Sequence, residues 1–390
     1  MLTTRTQHIK DSLFAQPRQI SMERATLFME SYKATEGEPP IIRRAKAFRH
    51  VLENHQIVID EWDLLVGNRS ATPRAGVVSP EMSPYWILDE LDAFPTRPQD
   101  TFEISEEDKA FFRNVLYPFW QGQTLNDWYT AHRGDDVTAA EKDKVFAVAQ
   151  TDKGGGHIIG DFAEVLTRGI GALQQQSRDF LAKDPTNNFY QASCICMDAL
   201  SAYVSRYERI VRSAAEGEAP ADAHATIALP HTPERTVELQ RLADILVHIA
   251  TEPARDLYDA LQLVWIVSIT SQTLARSRSD AWISTCCRTT VPASARAPLT
   301  RRSGSFSSAS ISSATPSWQC APPSLPASLQ AFPLAITLWS VALTQTATMP
   351  PTSSRCSFSI FSATPAFLSL TCRCASTGEL RTSFCTRQLR

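Results

Sequence analysis

A glycine-rich segment contains one of the few residues whose type and setting suit ligand contact. The stretch TDKGGGH, residues 151–157, places three consecutive glycines before His157, and two isoleucines follow. Glycine lets a backbone approach a ligand closely, and a histidine donates or accepts a proton near neutral pH. The segment is not a phosphate loop, because it lacks a Gly-Lys-Ser/Thr ending and GxGxxG spacing. On residue type alone, an ordinary loop histidine is the simpler interpretation and substrate contact is the alternative.

Two cysteines, Cys194 and Cys196, are separated by one residue in YQASCICMDAL. Two ligands do not make a metal site, and the surrounding Ala, Ile, Met and Leu are typical of a buried helix. We predict that both thiols pack in a core. The sequence therefore predicts no metal site.

A basic cluster near residue 45 is matched by nearby carboxylates, which favours a solvated helix face over a nucleic-acid interface. The basic residues are Arg43, Arg44, Lys46 and Arg49, and the acidic ones are Glu36, Glu38 and Glu53.

The elements that must position these residues are mainly helical in the first 270 residues. Apolar residues recur at helical spacing over residues 22–35, 41–54, 161–181, 189–215, 233–250 and 256–269. Three pairs have the spacing of a helix cap and its reciprocal carboxylate: Ser105 with Asp108, Thr124 with Asp127, and Thr138 with Glu141. Residues 57–68 predict one or two short strands, and residues 73–86 a proline-punctuated extended stretch.

Composition divides the chain after residue 270. The first part holds 27 Lys+Arg and 39 Asp+Glu, a net charge of −12, whereas the last 120 residues hold 11 Arg and two acids, a net charge of +9. Seven of the nine cysteines lie in this second part.

The chain start lacks an apolar signal core, and the longest apolar run, residues 331–343, is too short to span a membrane. We expect a cytoplasmic protein with no membrane span and a domain boundary between 270 and 271.

Four segments together carry a family resemblance. They are TEGEPPIIRRAKAFRHVL, DLLVGNRSATPRAGVVSPEM, FPTRPQDTFEISEEDK and TDKGGGHIIGDF. In order and spacing they resemble the glycyl radical enzymes of the pyruvate formate-lyase superfamily, especially the branch of dehydratases and C–X lyases. The match runs from about Arg18 to Thr270 and covers roughly the first third of a full-length member.

The resemblance implies a fold and a chemistry. Members have a ten-stranded α/β barrel wrapped in helices, and the N-terminal third is mostly wrapping, so this chain is expected to be mainly α. An S-adenosylmethionine radical activase installs a radical on a glycine near the C-terminus, the radical passes to a cysteine, and a small substrate loses water or another group. The parent is expected to be a homodimer with no other bound cofactor. His157 stands where some dehydratases contact substrate, which implies a substrate-binding role. Formate C-acetyltransferase activity in the parent is the alternative.

Beyond residue 270 the resemblance stops, and a shifted reading frame explains the change. If each intended codon begins at the third base of a present codon, residues 272–290 permit NASSLSLGRLDQYMLPYY, which resembles a signature from the middle of these enzymes. Residues 333–355 and 368–375 permit two further family-like strings in the family's order. We interpret residues 271–390 as an out-of-frame, disordered tail.

The frame interpretation has consequences for catalysis. Cys286 and Cys287 are then not the cysteine pair of pyruvate formate-lyase, and neither a Gly-Cys-x-Glu loop nor a glycyl-radical loop occurs in the chain. We predict no catalytic residue here and an inactive, truncated enzyme. The alternative is a helical interaction module whose basic tail binds an acidic partner, although the arginines are too dispersed to indicate nucleic-acid binding.

Overall fold

The computed structural model describes residues 4–143, 145 and 160–274, together with the backbone of three strands between residues 318 and 375. Helices dominate the described residues. The α-helices are α1 Thr4–Ala15, α2 Glu23–Ala34, α3 Pro40–Asn54, α4 Tyr85–Glu90, α5 Glu106–Phe111, α6 Tyr117–Trp120, α7 Leu125–His132, α8 Asp135–Lys142, α9 Phe162–Lys183, α10 Asn188–Ala215, α11 Pro233–Ile249 and α12 Leu257–Leu274. A 3₁₀ turn at Phe94–Thr96 and a π-helical turn at Phe112–Leu116 complete the set.

The strands among the described residues form three small sheets, and all but the last two strands have only two or three residues. They are β1 Ile20–Ser21, β2 Ile57–Ile59, β3 Gly76–Val77, β4 Ala225–Ile227, β5 Trp318–Gln319, β6 Arg355–Thr364 and β7 Phe367–Ala375. In the first sheet β3 lies between β1 and β5, and all pairings are parallel. In the second, β2 pairs in parallel with β4, with Ile57 opposite Ala225. In the third, β6 and β7 are antiparallel.

The long helices begin and end close to where the hydrophobic periodicity predicts. α3 starts at Pro40, whose fixed φ and missing N–H suit the first helical position. α9 and α10 cover the predicted segments, and Asp161 and Asn187 cap their first turns by accepting from backbone N–H groups. Helix α1 was not predicted; its apolar positions do not form a clear stripe.

Two of the three predicted helix caps are confirmed and one is wrong. Ser105 accepts from the backbone N–H of Asp108 at the start of α5, and Thr124 with Asp127 forms a complete capping box at α7. Thr138 instead lies inside α8, where its hydroxyl donates to the carbonyl oxygen of Gly134 at 3.1 Å. The helix starts earlier because Gly134 is the N-cap and two aspartates occupy the first turn, where carboxylates are favoured.

The main hydrophobic core lies between α3, α9, α10, α11 and α12, with β2 at its edge. Ile57, Leu166, Val204 and Leu246 are almost wholly buried there. Helix α10 lies at the centre of this core and packs against α3, α9 and α11. A second core joins α2 to the stretch from β3 to the π-helical turn. Among the described helices, none is both long and apolar enough to cross a membrane.

Most of the segment predicted to be a disordered tail, residues 271–390, lies outside the described residues. Its described parts are the end of α12, β5, and the β6–β7 pair. The two longer strands were not foreseen from the sequence. Residues 357–360, which read Ser-Phe-Ser-Ile, have the alternation of polar and apolar residues that predicts a strand.

Candidate functional site

The predicted substrate-contacting residue, His157, lies outside the described residues. The structure does describe the element that follows it. Asp161 caps α9 with a 3.1 Å hydrogen bond from the N–H of Glu164, and Phe162 and Leu166 are buried in the main core. Gly169 then kinks the helix with a φ of 75°. A Cβ on this glycine would lie 2.5 Å from the backbone carbon of Glu252, so the backbones of α9 and the loop after α11 approach closely.

The described residues form a buried polar centre beneath the α3–β2 turn. His55, which ends α3, places its imidazole Nε2 2.7 Å from the hydroxyl of Tyr203 on α10. Tyr207, one turn further along α10, donates to the side-chain oxygen of Asn68 at 2.7 Å and accepts from the N–H of Asn68 at 3.0 Å. Asn68 in turn accepts from the N–H of Val58 on β2. One network thus joins a helix end, a strand and the long central helix.

Burial shifts the proton equilibria of this centre toward neutral forms. Desolvation, followed by the charge of Arg206, lowers the pKa of His55 to about 3. Desolvation also raises the pKa of Tyr203 and of Tyr207. At neutral pH all three rings are therefore uncharged and keep their hydrogen bonds. A histidine with so low a pKa is a weak base, so this centre suits a scaffold better than general acid–base catalysis.

Arg206 ties the same centre to the chain beyond α10. Its guanidinium donates to the backbone oxygens of Leu52 and His55 at 3.0 and 3.1 Å, which satisfies buried carbonyl groups at the end of α3 that have no partner within the helix. Two further nitrogens bond to both carboxylate oxygens of Asp222. The hydrogen bond with Arg206 is the main cause that lowers the pKa of Asp222.

A second buried group is a charge cluster around Glu81. Arg24 binds both carboxylate oxygens, at 2.7 and 3.2 Å, and Arg44 lies 3.5 Å away. Burial acts to raise the pKa of Glu81, but the charges of Arg24 and Arg44 outweigh it and the net shift is downward. Burial, and then the charge of Arg24, lowers the pKa of Arg69 to about 9. Glu81 therefore stays ionised and holds α2 and α3 to the segment after β3.

The basic cluster on α3 is only partly the solvated face that the sequence predicts. Lys46 pairs with Glu38 at 2.6 Å and Arg49 with Glu53 at 3.8 Å, as expected. Arg44, however, reaches the buried Glu81, and Arg43 donates to the carbonyl oxygen of Tyr32. Sequence reasoning missed Glu81 because its partners lie on two other elements.

The cysteines do not form a reactive site in the described part of the chain. Cys194 and Cys196 are partly buried on α10 and unpaired. Cys196 packs against the main core as predicted, whereas Cys194 belongs to none of the described core clusters. Burial raises the pKa of Cys196 to about 11. A reactive thiol needs the opposite shift. Cys286 and Cys287 lie outside the described residues. Within the described ranges, no group of three or more His, Cys, Asp or Glu side chains is placed to hold a metal ion.

Comparison with known proteins identifies the family. The sequence profile described as "Pyruvate formate lyase-like" matches residues 2–280. The chain belongs to the pyruvate formate lyase-like family. The match includes the polar centre, the Glu81 cluster and the glycine-rich segment with His157.

Individual relatives in this family are lyases and dehydratases. The isethionate sulfite-lyase of Oleidesulfovibrio alaskensis is 28% identical over 282 residues, which cover 68% of this chain and 33% of that protein. The glycerol-bound B12-independent glycerol dehydratase of Clostridium butyricum superposes with a TM-score of 0.67 at 28% identity, over 74% of this chain and 37% of that one. A glycyl radical enzyme of Archaeoglobus fulgidus superposes with a TM-score of 0.59 at 28% identity, over 69% of this chain and 34% of that one.

These relatives confirm the resemblance read from the sequence motifs. The pyruvate formate lyase-like chain spans about a third of the length of the relatives it matches. In the superposed dehydratase the matching region is likewise a part of the protein. The buried polar centre and the Glu81 cluster therefore lie in the part of this chain that matches the family.

Proposed function

We propose that this chain derives from a glycyl radical enzyme that eliminates water or another leaving group from a small polar substrate. The observation that carries the proposal is the family match over residues 2–280, combined with relatives that are a sulfite-lyase and a glycerol dehydratase. These relatives favour a dehydratase or C–X lyase parent over a formate C-acetyltransferase. They also favour an enzyme ancestor over an interaction module with a basic tail.

Within that parent, the described residues act as scaffold. Glu81 with its arginines and the His55 centre lock α2, α3 and α10 together. The kinked α9 follows the glycine-rich segment in the chain, and its first turn is capped by Asp161 and packs into the main core. We assign His157 to substrate binding, on its position in the family motif. Its imidazole would orient a substrate hydroxyl by hydrogen bonding.

The residues present do not fit the radical group that the family requires. The described thiols, Cys194 and Cys196, lie on α10 and in no Gly-Cys-x-Glu motif, and the sequence contains no such motif. No step through a glycyl or thiyl radical is therefore derived for these residues. In the parent enzyme, an S-adenosylmethionine radical activase would install the radical. We propose that the parent is a cytoplasmic homodimer with no other bound cofactor.

We further propose that residues 271–390 are an out-of-frame translation of the barrel and that this chain has no turnover. Support comes from the charge change at residue 270 and from the family-like strings that the shifted frame permits. Resequencing the gene from the codons of α12 onward, on both strands, tests the frame. A single restored frame leading to a Gly-Cys-x-Glu loop would mean that the parent enzyme is intact. A confirmed shift would mean that the 390-residue product is what the gene encodes.

Activity is tested with the purified chain, an activating enzyme, and either glycerol or isethionate under anaerobic conditions. We expect no product and no radical signal in electron paramagnetic resonance. Product formation that depends on the activating enzyme would overturn the proposal of inactivity.

The role of His157 is tested in a frame-restored enzyme with His157→Ala beside His50→Ala, a substitution at a partly exposed histidine on α3. Only the first is expected to lower kcat/KM; equal activity of the two would remove His157 from the site.

A further inference from the structure

A small cavity adjoins the buried polar centre. Its volume of about 10 Å³ corresponds to a single water-sized sphere. Polar groups on its wall come from four parts of the fold: His55 at the end of α3, Asn68 and Arg69 in the segment after β2, Tyr203 on α10 and Thr270 on α12. Two apolar side chains of α3 and one of α12 close the remainder. A cavity of this size with several polar walls meets the requirements of an ordered water.

His55 carries the polar atom that needs a partner. The residue is 3% exposed, and its Nδ1 makes no hydrogen bond with any described group. The backbone of Gln56 lies near enough to the ring to raise its pKa, but no hydrogen-bonding geometry joins Nδ1 to it. An unpaired buried polar atom is costly, so native interiors almost always satisfy it with protein or water.

The hydrogen-bond geometry indicates which proton lies on the ring. The hydroxyl of Tyr203 is 2.7 Å from Nε2 of His55, but 3.3 Å from the hydroxyl of Tyr207 and 3.4 Å from the carbonyl oxygen of Asn68. Because the contact with Nε2 is the shortest of the three, the hydroxyl of Tyr203 donates its proton to Nε2, and Nε2 is the acceptor. In a neutral imidazole the remaining proton is then on Nδ1, which becomes a donor without a protein acceptor.

We propose that this cavity is a binding site for one water molecule that accepts a hydrogen bond from Nδ1–H of His55. In this proposal the water donates to the hydroxyl oxygen of Thr270 and to the carbonyl oxygen of Asn68, two residues that line the cavity. Thr270 keeps acceptor capacity for this, because its own proton goes to the backbone of α12. The bridge connects α3 and the segment after β2 to the end of α12, where no direct side-chain hydrogen bond joins His55 to Thr270.

A crystal structure of the full chain tests the site directly. We expect an electron-density peak for water within hydrogen-bonding distance of Nδ1, Thr270 and the carbonyl of Asn68. A cavity without density, or an imidazole turned so that Nδ1 bonds to the protein, would overturn the proposal. The variants His55→Asn and His55→Gln form a matched pair, because the Asn amide reaches the Nδ1 position and the Gln amide reaches the Nε2 position. The water peak is expected to persist in the first and disappear in the second.

Denaturation of the same variants supplies a readout that does not need crystals. If a water satisfies Nδ1, His55→Gln removes a hydrogen-bonded group, and the folding equilibrium constant should fall about two- to tenfold. If Nδ1 has no partner, the same substitution removes an unsatisfied polar atom, and the folding equilibrium constant should stay equal or rise. The second result contradicts the proposal even when His55→Asn, which loses the Tyr203 contact, is strongly destabilised.

Discussion

The imidazole Nε2 of His55 lies 2.7 Å from the hydroxyl oxygen of Tyr203, a residue 148 positions further along the chain. This contact joins the end of α3 to the middle of α10 inside the main core. Because both residues are buried, their protonation states depend on the fold, and the stability of the fold depends on pH in return.

The pKa of His55 predicts acid destabilisation that begins well above the carboxyl range. Its folded pKa of about 3 lies below its ordinary 6.5, owing to burial and then to Arg206, with the backbone of Gln56 and the charge of Asp222 opposing them and His224 adding to them. Below pH 6.5 the unfolded chain binds a proton that the folded chain rejects, so stability is complete above that pH and is lost as pH falls toward 3. Between pH 7 and 5.5 we expect this group to lower the free energy of unfolding by about 1.3 kcal/mol.

Urea denaturation at the two pH values measures this loss. The variant His55→Gln should lose that part of the pH dependence, whereas His50→Gln, at a partly exposed histidine, should keep it. An unchanged pH slope in His55→Gln would show that His55 is not the titrating group.

Neutralising Glu81 should destabilise the fold far more than neutralising an exposed glutamate. In Glu81→Gln, the buried guanidinium of Arg24 loses its counter-charge, and removing one partner of a buried pair costs about 3–5 kcal/mol. The matched substitution Glu53→Gln breaks an exposed pair with Arg49 and should cost at most about 0.5 kcal/mol. Chemical denaturation compares the two; similar losses would mean that the Arg24–Glu81 pair is not closed in solution.

Glycine at position 169 is required by close backbone packing as well as by its φ angle. In Gly169→Ala the new Cβ would lie 2.5–2.6 Å from the backbone of residues 251–253. Gly217 has a similar φ of 80° but open space around its Cβ position, so Gly217→Ala carries only the conformational strain of about 1–2 kcal/mol. We expect Gly169→Ala to cost a further ~1–3 kcal/mol from overpacking. Equal midpoints of thermal or urea unfolding would argue against a tight α9 kink.

The hydroxyl of Tyr207 should contribute measurably to stability. Tyr207→Phe leaves the N–H of Asn68 without a buried partner and leaves its side-chain oxygen only the N–H of Val58, which costs about 1–3 kcal/mol. Tyr190, a partly exposed residue that stacks on Phe180, provides the control substitution Tyr190→Phe, for which a change near zero is expected. If both variants unfold at the same urea concentration, the Asn68–Tyr207 bonds do not form in solution.

Local patterns predicted much of the helical framework. The periodic segments that became α2, α3 and α9 to α12 are found with shifts of a few residues, because apolar residues recur at helical spacing in each of them. Side-chain N-caps also mark the starts of α9, α10 and α11. The predicted cap at Thr138 is wrong because α8 begins earlier, with Gly134 as its N-cap. Glu141 instead pairs with Arg133, which follows α7, and accepts a hydrogen bond from Tyr129 on α7. Several neighbouring residues can act as the N-cap of a helix, and tertiary packing decides which of them does. A local cap motif alone therefore does not fix where the helix begins.

The sequence by itself determined the family resemblance, the helical character of the described N-terminal part, and the charge difference on either side of residue 270. These properties depend on residue types and short spacings. Only the tertiary structure brought His55 to Tyr203, Tyr207 to Asn68, and Arg24 and Arg44 to Glu81. Their buried neighbours lie on other elements, tens to well over a hundred residues away in the chain. Desolvation and charge pairing arise from that packing, so the shifted pKa values and the water-sized cavity followed from the fold and not from any motif.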